Sequence, residues 1–215
     1  MRSVKTILLT IFSVLSLSSA QAQDWQLVKT DFGIAIETQV LADSPWHGFR
    51  GQVDVAAKPD QVVRFLQDLE ALPSWHYRTE SAEVIKLEGY ASALIHIITK
   101  PLWPVKRRDV ICRVSLTLAT DSGAIHITLE SVDNAAPPTA GVNRMDKLNA
   151  KWTIQPLGDT HSAVSYETYV EPGGKMPVWL FNTMAVDVPL YSLLNLRRHF
   201  DNIAEERQVW TGDTQ

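Results

Sequence analysis

Two stretches in which apolar and polar residues alternate constrain the fold of this chain more than any other feature. In the first, between residues 110 and 118, the even positions are Val110, Cys112, Val114, Leu116 and Leu118. In the second, between residues 147 and 155, the even positions are Leu148, Ala150, Trp152 and Ile154, and the odd positions are all polar. A period of two is typical of antiparallel strands that pack one face on a core and expose the other. The sequence therefore predicts an antiparallel sheet with one dry face.

The same reasoning extends along the chain. Strand patterns bounded by turn residues predict eight strands, at 33–41, 47–56, 82–88, 91–99, 108–118, 124–132, 145–156 and 162–170. An early helix is expected to begin at Pro59, because apolar residues follow it at the i, i+3, i+4, i+7 spacing of one helix face: Val62, Phe65, Leu66 and Leu69. We expect Pro73 to end this helix.

A long helix is predicted after the Gly173-Gly174 break, with Pro177 at its start and a kink or break at Pro189. It carries two apolar stripes, one made of Met176, Trp179, Leu180, Thr183 and Met184, the other of Leu193, Leu196, Phe200 and Ile203. An apolar helix face must be buried, and the concave side of the sheet is the large dry surface on offer. The expected class is therefore α+β: a curved antiparallel sheet wrapped around a long C-terminal helix, with an internal hydrophobic tunnel of roughly 300–1,000 Å³.

The N-terminus predicts export. Residues 1–22 contain Arg2 and Lys5, then an apolar run, then the small-x-small pattern of Ala20 to Ala22. This is typical of a secretory signal peptide; an uncleaved membrane anchor is the alternative. The mature protein would be one domain, residues 23–215, in the periplasm or outside the cell. Cleavage removes two of the 20 Lys and Arg and none of the 24 Asp and Glu, so the net charge changes from −4 to −6. That charge argues against a nucleic-acid partner.

The sequence lacks the signatures of catalysis and of cofactor or metal binding. It has no Gly-x-Ser-x-Gly elbow, no phosphate-binding glycine loop and no His-Glu-x-x-His motif. The six histidines are scattered, and none of them pairs with another at metal-ligand spacing. Cys112, the single cysteine, lies within a strand pattern, so burial is expected rather than reactivity. We predict no catalytic residue, no cofactor and no metal.

Several segments resemble the START family, the lipid-transfer domains related to the steroidogenic acute regulatory protein. The matching segments are DFGIAIETQ, FLQDLEALPSWH, PLWPVKRRDVICR, GVNRMDKLNAKWTIQP and VSYETYVEPGGKMPVWLFNTMA, which together span about residues 24–204. The resemblance implies a helix-grip fold, which agrees with the periodicity, and a tunnel that holds one lipid. The long N-terminal helix of many START domains has little counterpart here, because only residues 23–31 precede the first predicted strand.

Arg108 is the most informative single residue of this resemblance. It shares its parity with Val110, Cys112 and Val114, so it should point into the interior, where a guanidinium must be paired. The resemblance implies an arginine at this position in the tunnel, often facing an acid, for which Glu88 is the candidate. A polar group of the ligand could pair with Arg108. A structural role, with backbone carbonyls or Asp109 as partners, is the alternative. The predicted lipid-binding residues are Arg108, Val110, Cys112, Trp152, Met176, Trp179, Leu180, Thr183 and Met184.

The loop before Arg108 allows two interpretations. Leu102, Trp103 and Pro104 stand next to Lys100, Lys106 and Arg107, so the loop could make transient contact with a membrane surface. Packing of Trp103 between prolines is the alternative, and the one we favour. The resemblance implies that this loop acts as a lid.

Three hypotheses for function follow. The leading one is a monomeric, non-enzymatic carrier of a lipid or other hydrophobic small molecule. The second is an enzyme of the same fold, a cyclase or hydrolase acting on a bulky apolar substrate, which two or more titratable groups converging in the tunnel would favour. The third is an envelope interaction protein whose core is packed solid.

Overall fold

A single antiparallel sheet dominates the molecule. The computed structural model describes residues 24–101, 103 and 105–201; the predicted signal peptide and Ile203 lie outside these residues. The ten strands are β1 (Gln26–Asp31), β2 (Ile34–Val40), β3 (His47–Val55), β4 (Thr79–Leu87), β5 (Ser92–Thr99), β6 (Arg108–Leu118), β7 (Ile125–Ser131), β8 (Asn143–Arg144), β9 (Lys147–Leu157) and β10 (His161–Glu171). Their order in the sheet is β1-β2-β3-β10-β9-β7-β6-β5-β4, and the short β8 pairs in parallel with the start of β6.

The described part of the chain also contains four helices. They are α1 (Pro59–Gln67), α2 (Leu72–Trp75), α3 (Val178–Ala185) and α4 (Asp187–Asp201). Both α1 and α2 lie between β3 and β4, whereas α3 and α4 follow the last strand. None of the helices in the described ranges is long and apolar enough to cross a membrane. The predicted α+β class, with a curved sheet around a C-terminal helix, is confirmed.

The C-terminal helix packs closely on the sheet. Leu190, Leu193 and Leu196 of α4 are fully buried, as are Ile34 and Ile36 of β2. Gly51 of β3 allows this approach. A Cβ built there would lie 2.5 Å from Ile36 Cδ1 and 3.0 Å from Leu193 Cδ1, so both terminal methyl groups would have to move to admit a larger residue. Glycine at position 51 therefore lets these side chains of β2 and α4 pack directly on the backbone of β3.

The structure adds two strands to the eight predicted. The first, β1, is an edge strand whose side chains are mostly exposed, so it lacks the alternation that marks a half-buried strand. It joins β2 through a tight turn at Phe32 and Gly33, both of which have positive φ (51° and 72°). The second, β8, has only two residues, too few to show a period.

The prediction that Pro73 ends the early helix is wrong. Helix α1 ends at Gln67, and Pro73 lies in the first turn of the separate one-turn helix α2. A proline is tolerated in a first turn, because the N–H that it lacks would have no intrahelical partner there. The expected break near Pro189 is present, and the structure places it at Val186. The break has a physical cause, because Pro189 has no N–H to donate to the carbonyl of Ala185 and a proline ring crowds the carbonyl four residues before it.

Candidate ligand cavity

A cavity of about 440 Å³ lies between the concave face of the sheet and the helices. Every strand from β3 to β10 except the two-residue β8 contributes to its wall, together with all four helices. Most of the lining is aliphatic or aromatic. The volume falls within the expected range of roughly 300–1,000 Å³ for a small-ligand site. The core is therefore not packed solid.

Four of the predicted lipid-binding residues line this cavity: Arg108, Val110, Trp152 and Met184. Strand parity places the first three, because even-numbered residues of β6 and β9 face inward. Cys112 is fully buried in a cluster with Ile95 and Val110, but it does not reach the cavity surface. Its burial raises the pKa of the thiol to about 12, so the thiol stays protonated and unreactive. Whether the lining residues bind a lipid stays a prediction.

The assignment of Trp179, Thr183, Met176 and Leu180 to the cavity wall is wrong. Trp179 is 71% exposed, and Thr183 is exposed and donates to the carbonyl of Trp179 at 2.8 Å. Met176 and Leu180 instead line a second pocket of about 430 Å³, which shares Val105 and Arg108 with the cavity.

A different stripe of the same helical segment faces the cavity: Phe181, Met184, Ala185 and Val188. These residues also follow the i, i+3, i+4, i+7 spacing. Helix α3 is apolar on nearly every side, so two stripes fit the helical period equally well, and periodicity alone cannot choose between them.

Arg108 points into the interior, and backbone carbonyls hold it. It is 4% exposed; its Nε donates to the carbonyl of Pro172 at 2.8 Å, and its terminal nitrogens donate to Lys106 at 2.9 Å and to Gly173 at 3.5 Å. Burial lowers the pKa of the guanidinium below its ordinary value. The predicted acid, Glu88, instead accepts from Arg113 at 2.7 Å. The contacts that Arg108 makes within the protein are thus those of the predicted structural role, in which backbone carbonyls pair with the guanidinium.

Arg108 belongs to a cationic end of the cavity. Thr79, Thr99 and Arg108 are neighbours across β4, β5 and β6, and Arg78 and Lys100 adjoin the first two. Arg78 and Lys100 also line the cavity and exchange main-chain and side-chain hydrogen bonds of 2.7 Å. Among the described residues, no Asp or Glu contributes to the cavity wall. An anionic or neutral polar group would be stabilised at this end, and a cation would be repelled.

A chain of polar side chains crosses the wall near α2. The ring of His76 contacts the hydroxyl of Thr79 at 2.8 Å and that of Tyr166 at 3.3 Å. Tyr166 stacks on Trp152 with ring centroids 4.0 Å apart. Desolvation lowers the pKa of His76 to about 4, and it raises that of Tyr166 to about 12. Both side chains are therefore uncharged at neutral pH.

Sequence reasoning missed this polar chain. The position of Tyr166 was available from parity, since it alternates with Val164 and Thr168 in a predicted strand. His76 was not, because it follows a helix and precedes a turn, where no period applies.

A second polar cluster lies on the opposite face of β6. Asp109 is fully buried and accepts hydrogen bonds from Arg144 at 2.9 and 3.0 Å and from Thr139 at 2.9 Å, and it lies 2.9 Å from His96. Burial alone would raise the pKa of Asp109, but these hydrogen bonds outweigh it and lower the pKa to about 2. His96 thus belongs to this structural cluster and does not face the cavity. The cluster ties β8 and the preceding loop to the sheet.

The loop before β6 does not pack as expected. Trp103 is 92% exposed, whereas Val105 lines the cavity, so the favoured interpretation of Trp103 as a packed residue is wrong. Lys100 and Lys106 are exposed on either side. Leu102 and Pro104, the other predicted lid residues, lie outside the described residues. The described residues contain no cluster of His, Cys, Asp or Glu suited to a metal.

Comparisons with known proteins agree with this architecture. The family model of the START domain matches residues 20–192. An uncharacterized protein of Pseudomonas aeruginosa, PA1579, is 31% identical over 179 residues, which cover 83% of this chain and 88% of that protein. The crystal structure of a STAR-related lipid transfer protein fragment from Xanthomonas axonopodis is 30% identical, with a TM-score of 0.75, covering 82% of this chain and 98% of that one.

An enzyme shares the fold more distantly. The crystal structure of the Zhui aromatase/cyclase from Streptomyces sp. R1128 covers 78% of this chain and 98% of its own, with a TM-score of 0.51 and 16% identity. At this identity the likeness concerns the fold alone.

Proposed function

Because this chain belongs to the START-domain family, we propose that it is a non-catalytic carrier of a lipid or similar hydrophobic molecule. The cavity of about 440 Å³, apolar along most of its wall and cationic at one end, is the observation that carries the proposal. A chain with no use for an internal ligand would be more stable with this space filled by side chains. The ligand class this cavity suits is a hydrophobic molecule whose polar end is anionic or neutral.

The enzyme hypothesis has one feature in its favour, since two titratable groups, His76 and Tyr166, meet at the cavity wall. The pKa values of these two side chains favour a role in ligand binding over a role in catalysis. A general acid or base works best with a pKa near the operating pH, whereas burial moves His76 down to about 4 and Tyr166 up to about 12. A neutral imidazole and a neutral phenol suit a polar patch that orients a ligand.

Transient contact with a membrane surface is part of the proposal. Trp103 offers an exposed indole at the cationic end of the cavity, flanked by Lys100 and Lys106. An aromatic ring at the interface and lysines beside anionic headgroups form a known physical basis for reversible membrane binding. The loop would then deliver the ligand at the end of the cavity that holds its polar group.

The proposed site of action is the periplasm or the exterior of the cell. The supporting observation is the predicted signal peptide at residues 1–22. N-terminal sequencing of the protein recovered from its natural compartment should give Gln23 as the first residue. A dominant full-length form in the cytoplasm would contradict export.

Native mass spectrometry tests the carrier proposal. Protein isolated gently from its own compartment should show a mass in excess of the polypeptide, and organic extraction should release a hydrophobic molecule that accounts for this excess. Acid-unfolded protein serves as the control, because it should have the polypeptide mass alone. The proposal would be contradicted if the protein lost no mass on unfolding and the delipidated protein took up no lipid.

A further inference from the structure

The indole N–H of Trp75 is a buried donor for which no described residue supplies an acceptor. Trp75 is the last residue of α2, it is 5% exposed, and its side chain lines the cavity. Among the residues that the structure describes, none accepts a hydrogen bond from its Nε1 atom. A buried N–H without an acceptor is rare in folded proteins, and the indole nitrogen can only donate.

The polar groups nearest to Trp75 are already engaged with one another. The His76 ring, 5.5 Å from that of Trp75, uses its two nitrogens for Thr79 and Tyr166. The Tyr166 hydroxyl also interacts with Thr168. A neutral imidazole has one donor and one acceptor, and two hydroxyls satisfy both. Neither ring nitrogen of His76 is therefore left to accept from Trp75.

Two further aromatic rings lie beside the Trp75 indole, and Asn195 uses its side-chain nitrogen for the main-chain carbonyl of Trp75 at 2.8 Å. Phe65 lies 5.0 Å away between ring centroids, and Trp152 lies 5.8 Å away in an edge-to-face arrangement. Aromatic faces accept N–H groups only weakly. The acceptor of a full hydrogen bond from the Trp75 indole would thus be an atom of a molecule bound in the cavity.

We infer that Trp75 donates a hydrogen bond to an oxygen atom of the bound ligand, and that the ligand is a lipid with a carbonyl, ester or hydroxyl oxygen within its apolar body. This inference rests on the proposed function. It excludes plain hydrocarbon chains as the ligand class, because they would leave the indole N–H of Trp75 without an acceptor. The cationic end, with Arg78 and Lys100 and without carboxylates, adds that the terminal group of the ligand is anionic or neutral.

Fatty acids that differ only in the position of one ketone provide the test. Octadecanoate and its positional oxo isomers would compete with a fluorescent fatty acid bound to the delipidated protein. In the wild type, we expect one isomer or two adjacent ones to bind roughly 2- to 10-fold more tightly than octadecanoate, the gain of a neutral hydrogen bond. Trp75→Phe keeps an aromatic ring and removes the N–H, so the ratio of the affinities for the favoured isomer and for octadecanoate should fall to about 1, whatever change the smaller ring makes to both affinities.

Nitrogen-15 labelling of the tryptophans gives a second readout that does not require the variant to fold. The favoured oxo isomer should shift the indole N–H resonance of Trp75 downfield, and octadecanoate should not. Binding of octadecanoate with no ketone preference and no such shift would overturn this inference and leave the carrier proposal intact. Failure of every fatty acid to bind would overturn this inference, and it would overturn the carrier proposal as well if the natively isolated protein also lost no mass on unfolding.

Discussion

At the residue scale, Arg108 links the sheet to the segment that precedes α3. Its three hydrogen bonds fix the carbonyls of Lys106, Pro172 and Gly173. Parity was enough to predict that Arg108 points inward, because the strand is regular. Backbone carbonyls were named as possible partners, but which ones was not predictable, because those of Pro172 and Gly173 are distant in sequence and any residue type supplies a carbonyl.

Arg108→Met should lower the stability of the ligand-free protein by about 2–3 kcal/mol, because buried carbonyls would lose their donor. Thermal or urea unfolding measures this loss. Arg113→Met on the same strand is the matched control; its partner Glu88 makes a solvent-screened ion pair, so the loss should be much smaller than in Arg108→Met. Unchanged stability of Arg108→Met combined with lost lipid affinity would show that Arg108 serves the ligand instead.

His76 should make the protein sensitive to mild acid. Its pKa in the folded state, about 4, lies below the ordinary value of 6.5, so folding favours the neutral ring. The stability that this provides is complete above pH 6.5 and is lost as the pH falls toward 4, by up to about 3 kcal/mol. Asp109 affects stability at lower pH, because its pKa of about 2 lies below its ordinary value of 3.8.

Unfolding measured between pH 7 and 4 in the wild type and in His76→Gln tests this expectation. The variant should lose less stability over this range than the wild type does. His126→Gln is the control, because His126 lies on the outer face and its pKa is lowered by milder burial and by Lys151. An identical pH dependence in the wild type and His76→Gln would contradict the assignment.

At the scale of elements, the accuracy of the sequence predictions depended on how the two faces of each element differ. Strands β6 and β9 have one dry and one wet face, and their bounds were predicted within two residues. The edge strand β1 is wet on both faces and was missed. Helix α3 is apolar on both sides, so its existence was predicted and its orientation was not.

The loop between β5 and β6 should contribute to membrane binding. Trp103→Ala should reduce sedimentation with vesicles of phosphatidylglycerol and phosphatidylethanolamine by several-fold, and added salt should weaken the wild type as well, because the neighbouring lysines are exposed. Tyr90→Ala is the matched control: an exposed aromatic residue at the opposite end of β5. Equal losses in the two variants, or none in Trp103→Ala, would contradict a docking role for this loop.

At the scale of the whole molecule, the curved sheet and the helices of the described residues enclose a space that they do not fill. The class, the positions of the main strands along the chain and the existence of the cavity could be predicted, because they follow from alternation and from the need to bury an apolar helix. The polar chain through His76 and Tyr166 could not be predicted, nor could the Trp75 N–H for which no described residue supplies an acceptor, since they depend on contacts with the distant strands β9 and β10.

Two adjacent substitutions on α3 test the central claim, that the cavity holds the ligand, most directly. Met184 lines the cavity and Thr183 faces solvent, so Met184→Trp fills the space while Thr183→Trp adds the same side chain outside it. The measurement is the equilibrium affinity of each folded variant for a fluorescent fatty acid. We expect Met184→Trp to bind at least about 10-fold more weakly than wild type and Thr183→Trp to bind normally, as a blocked pocket cannot bury the chain. Wild-type affinity in Met184→Trp would contradict the account and place the ligand elsewhere.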